Sequence, residues 1–302
     1  MPSLQLPKQT KKLTTLFLLT GALLLVLVVW AWWHYVRSNP ERTFYAAISN
    51  AMQTKSVSNQ IVQEAPGQKL EQNLEAVLSP EHVVHGTTVI SQNGETNATV
   101  RTESISTPRE DYVRYSNIKT DQKSQTSGKV LDFSKLVDVW GRTQPADKTK
   151  TTGELYGETV LGVVPLGNLS AGDRTEIMAF VKGHKVYKFN ESEVKHKLVN
   201  GRPTYVYQVQ VSTEAWVGML KRFAKAVGLT QLESIDPASY RESQPLEAEM
   251  IVDVWSRQLT GLSYSESGRT EKLGSYGLWH DVSIPKKTIP VEELQKRLQS
   301  VQ

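Results

Sequence analysis

Hydrophobic and polar positions follow two regimes along this chain. Residues 13–36 contain no Asp, Glu, Lys or Arg, and the densest part, LFLLTGALLLVLVVWAWW at 16–33, is apolar almost throughout. A helix rises about 1.5 Å per residue and a bilayer core is about 30 Å thick, so this run predicts a membrane-spanning helix over 13–36. Trp30, Trp32, Trp33 and Tyr35 crowd its far end. Amphipathic rings favour the headgroup layer, which makes these four the expected membrane-interface residues.

Beyond residue 38 the period shortens. Asn39 before Pro40 is a helix start, with a capping side chain followed by proline in the first turn. Phe44, Ala47, Ile48, Ala51 and Met52 then fall on one stripe, predicting a helix over 40–52. Alternating runs rich in Val, Thr and Ile at 56–65, 70–79, 82–91, 96–105 and 111–118 predict an antiparallel meander. Turn residues separate them at Pro66-Gly67, Ser79-Pro80, Asn93-Gly94 and Thr107-Pro108. Polar stretches at 119–129 and 142–153 predict loops. Between them Asp132 is placed to cap a short helix bearing Phe133, Leu136, Val137 and Trp140, with Gly141 as its stop.

Ser170 and Asp173 fit a capping box before a helix carrying Ile177 and Val181. Asn200-Gly201 is a strong hairpin signal. After it Tyr205, Tyr207, Val209 and Val211 share one strand face, and Gln208 and Gln210 the other. Ser212 or Thr213 caps the next helix, whose stripe is Trp216, Met219, Leu220, Phe223 and Val227, and Gly228 ends it. Strands are predicted at 248–255, 261–266 and 273–284. A last helix starts near Pro290, with Val291, Leu294 and Leu298 inward. The fold class is α+β: an N-terminal transmembrane helix, then a long curved antiparallel sheet with helices packed on one face. The chain divides into a short tail at 1–12, the anchor at 13–36 and one domain at 40–302.

Charge changes the picture in two ways. Lys8, Lys11 and Lys12 precede the apolar run without an acidic residue, whereas Arg37, Glu41 and Arg42 nearly balance after it. This lysine excess places the N-terminus in the cytoplasm and the main domain outside the cell membrane. Bulky aromatics replace the small residues of a signal-peptidase site, which favours a retained single span over a cleaved leader. The net charge of +4 also belongs entirely to residues 1–37, whose only charges are Lys8, Lys11, Lys12 and Arg37. Removing those four from 35 basic residues leaves 31 against 31 acidic ones. A near-neutral domain argues against a nucleic-acid partner.

Candidate chemistry is sparse. No cysteine is present, which excludes disulfides, a thiol nucleophile, cysteine-ligated metals and a lipidated cysteine. His82 and His85 have an odd spacing that puts them on opposite faces of a strand, so surface positions are expected rather than metal ligation. His184, His196 and His280 have no motif partner. There is no G-x-S-x-G, S-x-x-K, H-E-x-x-H or glycine-rich phosphate loop. The sequence therefore assigns no catalytic residue, metal or cofactor, and the expectation is that the chain is not an enzyme. The sequons at Asn97, Asn168 and Asn190 are near chance in a chain rich in Asn, Ser and Thr.

The aromatic residues are more informative. Trp140, Trp216, Trp255, Trp279, Tyr205 and Tyr207 lie on or beside predicted elements. The plain reading is core packing. The sharper one is an apolar cavity between a curved sheet and its helices, with Tyr205, Tyr207, Val209, Val211 and Trp216 as its candidate lining.

Four segments carry a resemblance. They are the leading helix before a meander, the hairpin NGRPTYVYQVQV, the strand-turn stretch MIVDVWSRQLTGLSYSE, and SYGLWHDVSIP with its Tyr-Gly turn and Ile-Pro exit. Across about residues 40–300 this layout resembles the LolA-like superfamily of bacterial envelope proteins, which includes lipoprotein carriers and LppX-type lipoproteins. The resemblance implies an unclosed barrel with helices on its concave face, holding a lipid, an acyl chain or a lipoprotein. The alternative is an envelope sensor or protein-interaction module without a small-molecule ligand, which would engage an envelope protein partner. About a dozen cytoplasmic residues are too few for an effector domain.

Overall fold

A computed structural model describes residues 20–30, 39–94, 96–124, 127–143 and 151–301. Residues 20–30 form helix α1, with exposed side chains. Among the described residues no helix is long and apolar enough to cross a membrane. The remainder of the apolar run at 13–36 lies outside the described residues, as do Trp32, Trp33 and Tyr35, while Trp30 is the last described residue of α1. The expected transmembrane span is therefore not carried by the structure.

Helix α2 (Pro40–Ala51) begins as its sequence dictates: the Asn39 side chain accepts from the Arg42 amide at 2.8 Å and Pro40 opens the first turn. Phe44, Ala47, Ile48 and Ala51 are buried along its stripe. The meander follows as β1 (Ser56–Ala65), β2 (Gln68–Val77), β3 (Val83–Gln92), β4 (Ala98–Ser106) and β5 (Asp111–Thr120). The Pro66-Gly67 break is a two-residue hairpin turn with Gly67 at φ +74°, a backbone region in which glycine is unstrained.

Two corrections fall in the next stretch. Residues 132–140 form turns, not the predicted helix, although Leu136 is buried. Gly141 is no helix stop. It opens the short strand β6 (Gly141–Thr143), where a Cβ would come within 2.9 Å of a Leu294 methyl, so a missing side chain lets the C-terminal helix approach. A helix absent from the sequence reading, α3 (Glu154–Val160), then lies against β3 and β4.

Helix α4 (Ala171–Gly183) starts at the expected box, where Ser170 Oγ accepts from the Asp173 amide and donates to its carboxylate at 2.6 Å. After β7 (Tyr187–Lys188), the hairpin β8 (Lys195–Val199) to β9 (Arg202–Val211) turns at Asn200 and Gly201, both at positive φ. Helix α5 (Thr213–Ala226) buries Met219, Leu220 and Phe223. Strands β10 (Leu246–Asp253), β11 (Leu259–Tyr264) and β12 (Arg269–Gly274) complete the antiparallel set. The predicted strand at 273–284 is a further correction, because β12 stops at Gly274 and the chain beyond runs without regular structure to β13 (Ile289–Pro290) and α6 (Val291–Gln299).

Among the described residues all strands join one 13-stranded sheet, in the order β13-β6-β5-β4-β3-β2-β1-β12-β11-β10-β9-β7, with β8 flanking β9. The terminal strands do not meet, so the sheet is open. Its seam is the β1–β12 ladder, which sews the N-terminal meander to the C-terminal strands. One large apolar cluster fills the inner face, drawing on α2 to α5 and on both halves of the sheet. A smaller one, Val77, Val83, Ile105 and Tyr112, packs with Trp140 and Val282. The α+β class with a large curved antiparallel sheet thus stands.

Candidate functional site

The seam sets the site. In an antiparallel ladder, residues opposite one another share a face and alternate residues point the same way. On β1 that rule aligns Asn59, Ile61 and Gln63 inward. The register sets Leu74 of β2 and Leu273 of β12 beside Asn59, and Gln72 of β2 and Glu271 of β12 beside Ile61. Leu262 of β11 lies opposite Glu271, and Tyr264 opposite Arg269. The inner floor is therefore a patchwork: apolar Ile61, Leu74, Leu262 and Leu273 around polar Asn59, Gln72, Glu271 and Arg269.

Helices cover this floor incompletely. Helix α3 contributes Leu155, Glu158 and Thr159, the loop after it supplies Leu161 to Val164 and Leu166, and Trp216 reaches in from α5. Between roof and floor lies a pocket of about 530 Å³, within the roughly 300–1,000 Å³ range of small-molecule sites. The roof loop is tied down at Val163. Its carbonyl accepts from Tyr187 Oη at 2.7 Å and from Trp216 Nε1 at 3.2 Å.

Polar groups converge on the floor. Glu271, 8% exposed, accepts from Asn59 Nδ2 at 2.8 Å and from Arg269 Nε at 2.9 Å, one bond to each oxygen. Burial pushes the Tyr264 phenol far above its ordinary value, and the Glu271 carboxylate adds to the shift. Tyr264 is thus a neutral hydrogen-bonding group at any physiological pH. Asn59 is 7% exposed, and its Oδ1 has no hydrogen-bond partner.

The candidate lining read from the sequence divides. Tyr205, Tyr207, Val209 and Val211 are all buried in the large apolar cluster. There Tyr207 packs edge-on against Phe44 with ring centroids 5.0 Å apart, and its hydroxyl donates to the Pro40 carbonyl at 2.9 Å. Trp216 is half-buried and lines the pocket. The structure therefore does not bring the five together around one space. The residues that sequence reasoning missed are Asn59, Glu271, Arg269, Leu262 and the α3 roof. One signal for them was present: the period of two over 56–65 puts Val57, Asn59, Ile61 and Gln63 on a single face, polar residues included.

Other candidates resolve to surface roles. His82 lies just outside β3 and contacts Tyr156 Oη at 3.3 Å, while His85, within β3, contacts Glu103 Oε1 at 3.0 Å. Among the described residues no group of three or more His, Asp or Glu comes together in a way that fits a metal ion. A second hollow of about 560 Å³ lies on the outer face of β9 and β10, bordered by Gln208, Gln210, Glu247 and Glu249. These are solvated positions.

No family model and no curated protein matches the chain. Among solved structures, LprF from Mycobacterium bovis aligns over 82% of this chain and 95% of its own, at 11% identity and a TM-score of 0.40. A beta-barrel-like protein of domain of unknown function DUF1849 from Brucella abortus aligns over 76% of this chain and all of its own, at 8% identity and a TM-score of 0.22. At these scores the likeness has no bearing on what the pocket holds.

Proposed function

We propose that this chain is a membrane-anchored binding protein of the cell envelope that holds an amphiphile in the pocket over β1, β2, β11 and β12. The ligand is a lipid, an acyl chain or the acyl group of a lipoprotein. The observation that supports this reading is the pocket's mixed lining: ten apolar residues, from Ile61 and Leu74 to Trp216 and Leu273, share it with polar ones that include the buried Asn59 and Glu271. Such a space suits a molecule with one long apolar part and one polar end. Residues 13–36 serve as the single span, with the N-terminus cytoplasmic and the domain at 40–302 outside.

Mass spectrometry of lipids on the detergent-extracted full chain tests this. After cell lysis the protein is expected in the membrane fraction, and the purified protein carries a lipid above the detergent background. Gly162 lines the pocket, and a Cβ there meets only the Val164 carbonyl, at 3.7 Å. Gly162→Leu should therefore fold, with a stability change under about 1 kcal/mol, and lose that lipid. Equal lipid on both proteins, or none on wild type, removes the amphiphile reading.

A second reading, a protein-interaction module, is favoured by exposed apolar side chains. Leu198 and Val199 at the β8–β9 hairpin, Trp255 after β10, and Leu278 and Trp279 after β12 all face solvent. On that reading the partner is another envelope protein. A wild-type protein free of lipid would make it the better account.

A further inference from the structure

The pocket has a closed end and an open one. Helix α2 stops at Ala51, and the chain enters β1 at Ser56. The roof loop is stitched to this corner: the Gly167 amide donates to the Ala51 carbonyl at 3.2 Å, and the Leu169 amide to the Met52 carbonyl at 2.9 Å. The lining nearest the corner, Leu74, Leu166 and Leu273, is buried. Four residues along β1 from Asn59, a rise of about 14 Å, the floor opens. There Gln63 stands opposite Arg269, and Arg269 opposite Tyr264. All three are half-buried, and Ser267 in the turn beyond them is exposed.

Arg269 is the cation at this mouth. Its Nε donates to Glu271 Oε1 at 2.9 Å. Its side chain is 41% exposed, and among the described residues nothing bonds its two terminal nitrogens. Those nitrogens are donors only. The two carboxylates of the lining are placed differently. Glu271 lies two residues deeper along β12, with one oxygen bonded by Asn59 and the other by Arg269. Glu158 is exposed on the roof. The Arg269–Glu271 pair therefore turns its positive end toward the mouth.

We infer that the amphiphile enters tail first and that Arg269 binds the acceptor oxygens of its head, a carboxylate or an ester. The inference rests on the amphiphile reading above and sharpens it. Methylene groups gain by burial against Leu166 and Leu273, whereas a polar head would lose its water there. At the mouth the head keeps water and meets a guanidinium, whose planar fork matches the oxygens of a carboxyl group. An ammonium head has donors alone and meets a like charge instead.

The test uses the full chain in nanodiscs and three probes with the same hydrocarbon chain: oleic acid, methyl oleate and oleylamine. Co-purified probe is measured by mass spectrometry against nanodiscs without protein. Oleic acid, methyl oleate or both should be retained about tenfold better than oleylamine. Retention of the acid alone means that the head is read as an anion; retention of the ester as well means that it is read as a carbonyl acceptor. Arg269→Gln, which keeps an amide donor for Glu271, should remove the margin over oleylamine. Photolabelling of wild type fixes the direction without a variant, so the test survives if Arg269→Gln does not fold. A diazirine at the chain terminus of oleic acid should mark the Leu166 and Leu273 segments, and one beside the carboxylate the Gln63 and Ser267 segments. Oleylamine retained as well as the other two, labels reversed or spread evenly, or a full margin in folded Arg269→Gln overturns the inference while the amphiphile reading stands. Retention of none of the three overturns the amphiphile reading, and the inference with it.

Discussion

The inner face of one continuous sheet is treated in two ways. Over β9 and β10 it is filled. Tyr205, Tyr207 and Met250 are buried there in the large apolar cluster, and Phe44 of α2 meets Tyr187, Phe189 and Tyr207 with ring centroids 5.8, 4.6 and 5.0 Å away. The buried phenols end on backbone carbonyls, Tyr207 on Pro40 and Tyr187 on Val163, so the aromatic layer closes without an unmatched hydroxyl. Over β1, β2 and β12 the same alternation brings inward Asn59, Gln72 and Glu271, and the cover is a helix of seven residues and a loop. The difference shows what decides between core and pocket in this fold. Large aromatic side chains under helices of 12 to 14 residues fill the space, whereas polar side chains under a short cover leave it open.

Substitutions on the two sides should therefore differ in what they damage. The largest effect is expected at Phe223, which is fully buried on α5, with its ring edge packed where Gly167 has no side chain. Phe223→Ala should cost about 3–5 kcal/mol in chemical denaturation. On the same helix, Trp216→Ala should cost about 1–2 kcal/mol. Trp216 is half-buried at the pocket wall, and the Val163 carbonyl that it leaves keeps its bond from Tyr187. Its deficit should appear as lost lipid instead. If Trp216→Ala destabilises as much as Phe223→Ala, the roof belongs to the core and the contrast between the two regions collapses.

Much of the filled side was legible in the sequence. The stripe of α2 and its Asn39-Pro40 start, the Asn200-Gly201 turn and the alternation from Tyr205 to Val211 each encode local geometry, and local geometry fixes their burial. The pocket side was not legible, for two physical reasons. Its floor depends on pairing β1 with β12 across some two hundred residues, as in the Asn59–Glu271 bond, and no local period reports such a partner. Its roof, α3, has only seven residues, and Gly153 before it offers no capping side chain. The strand expected at 273–284 failed for a related reason: alternating residues near Trp279 had no neighbouring strand to pair with, and the segment lies irregular with Leu278 and Trp279 exposed.

The smallest expected effect concerns a buried carboxylate on the other face of β10, behind the filled side, and is read through pH. Asp253, 2% exposed at the end of β10, accepts from Arg202 Nε at 2.6 Å and from the Ser256 amide at 2.6 Å. Burial pushes its carboxyl up, but the bonds from Arg202 and Ser256 outweigh burial, and the net value lies below the ordinary aspartate range. A group depressed on folding contributes stability above its unfolded pKa of about 3.9 and loses it as pH falls through the lower folded value. Asp253→Asn should therefore be less stable than wild type by about 1 kcal/mol at pH 7, a modest figure because its arginine partner is half in solvent. The gap should hold down to about pH 5 and narrow below about pH 4, as wild type gives up the same contribution. Denaturant midpoints for both proteins from pH 7 to pH 2 measure it. Parallel curves over that range would show that Asp253 stabilises its turn by hydrogen-bond geometry alone and not by its charge.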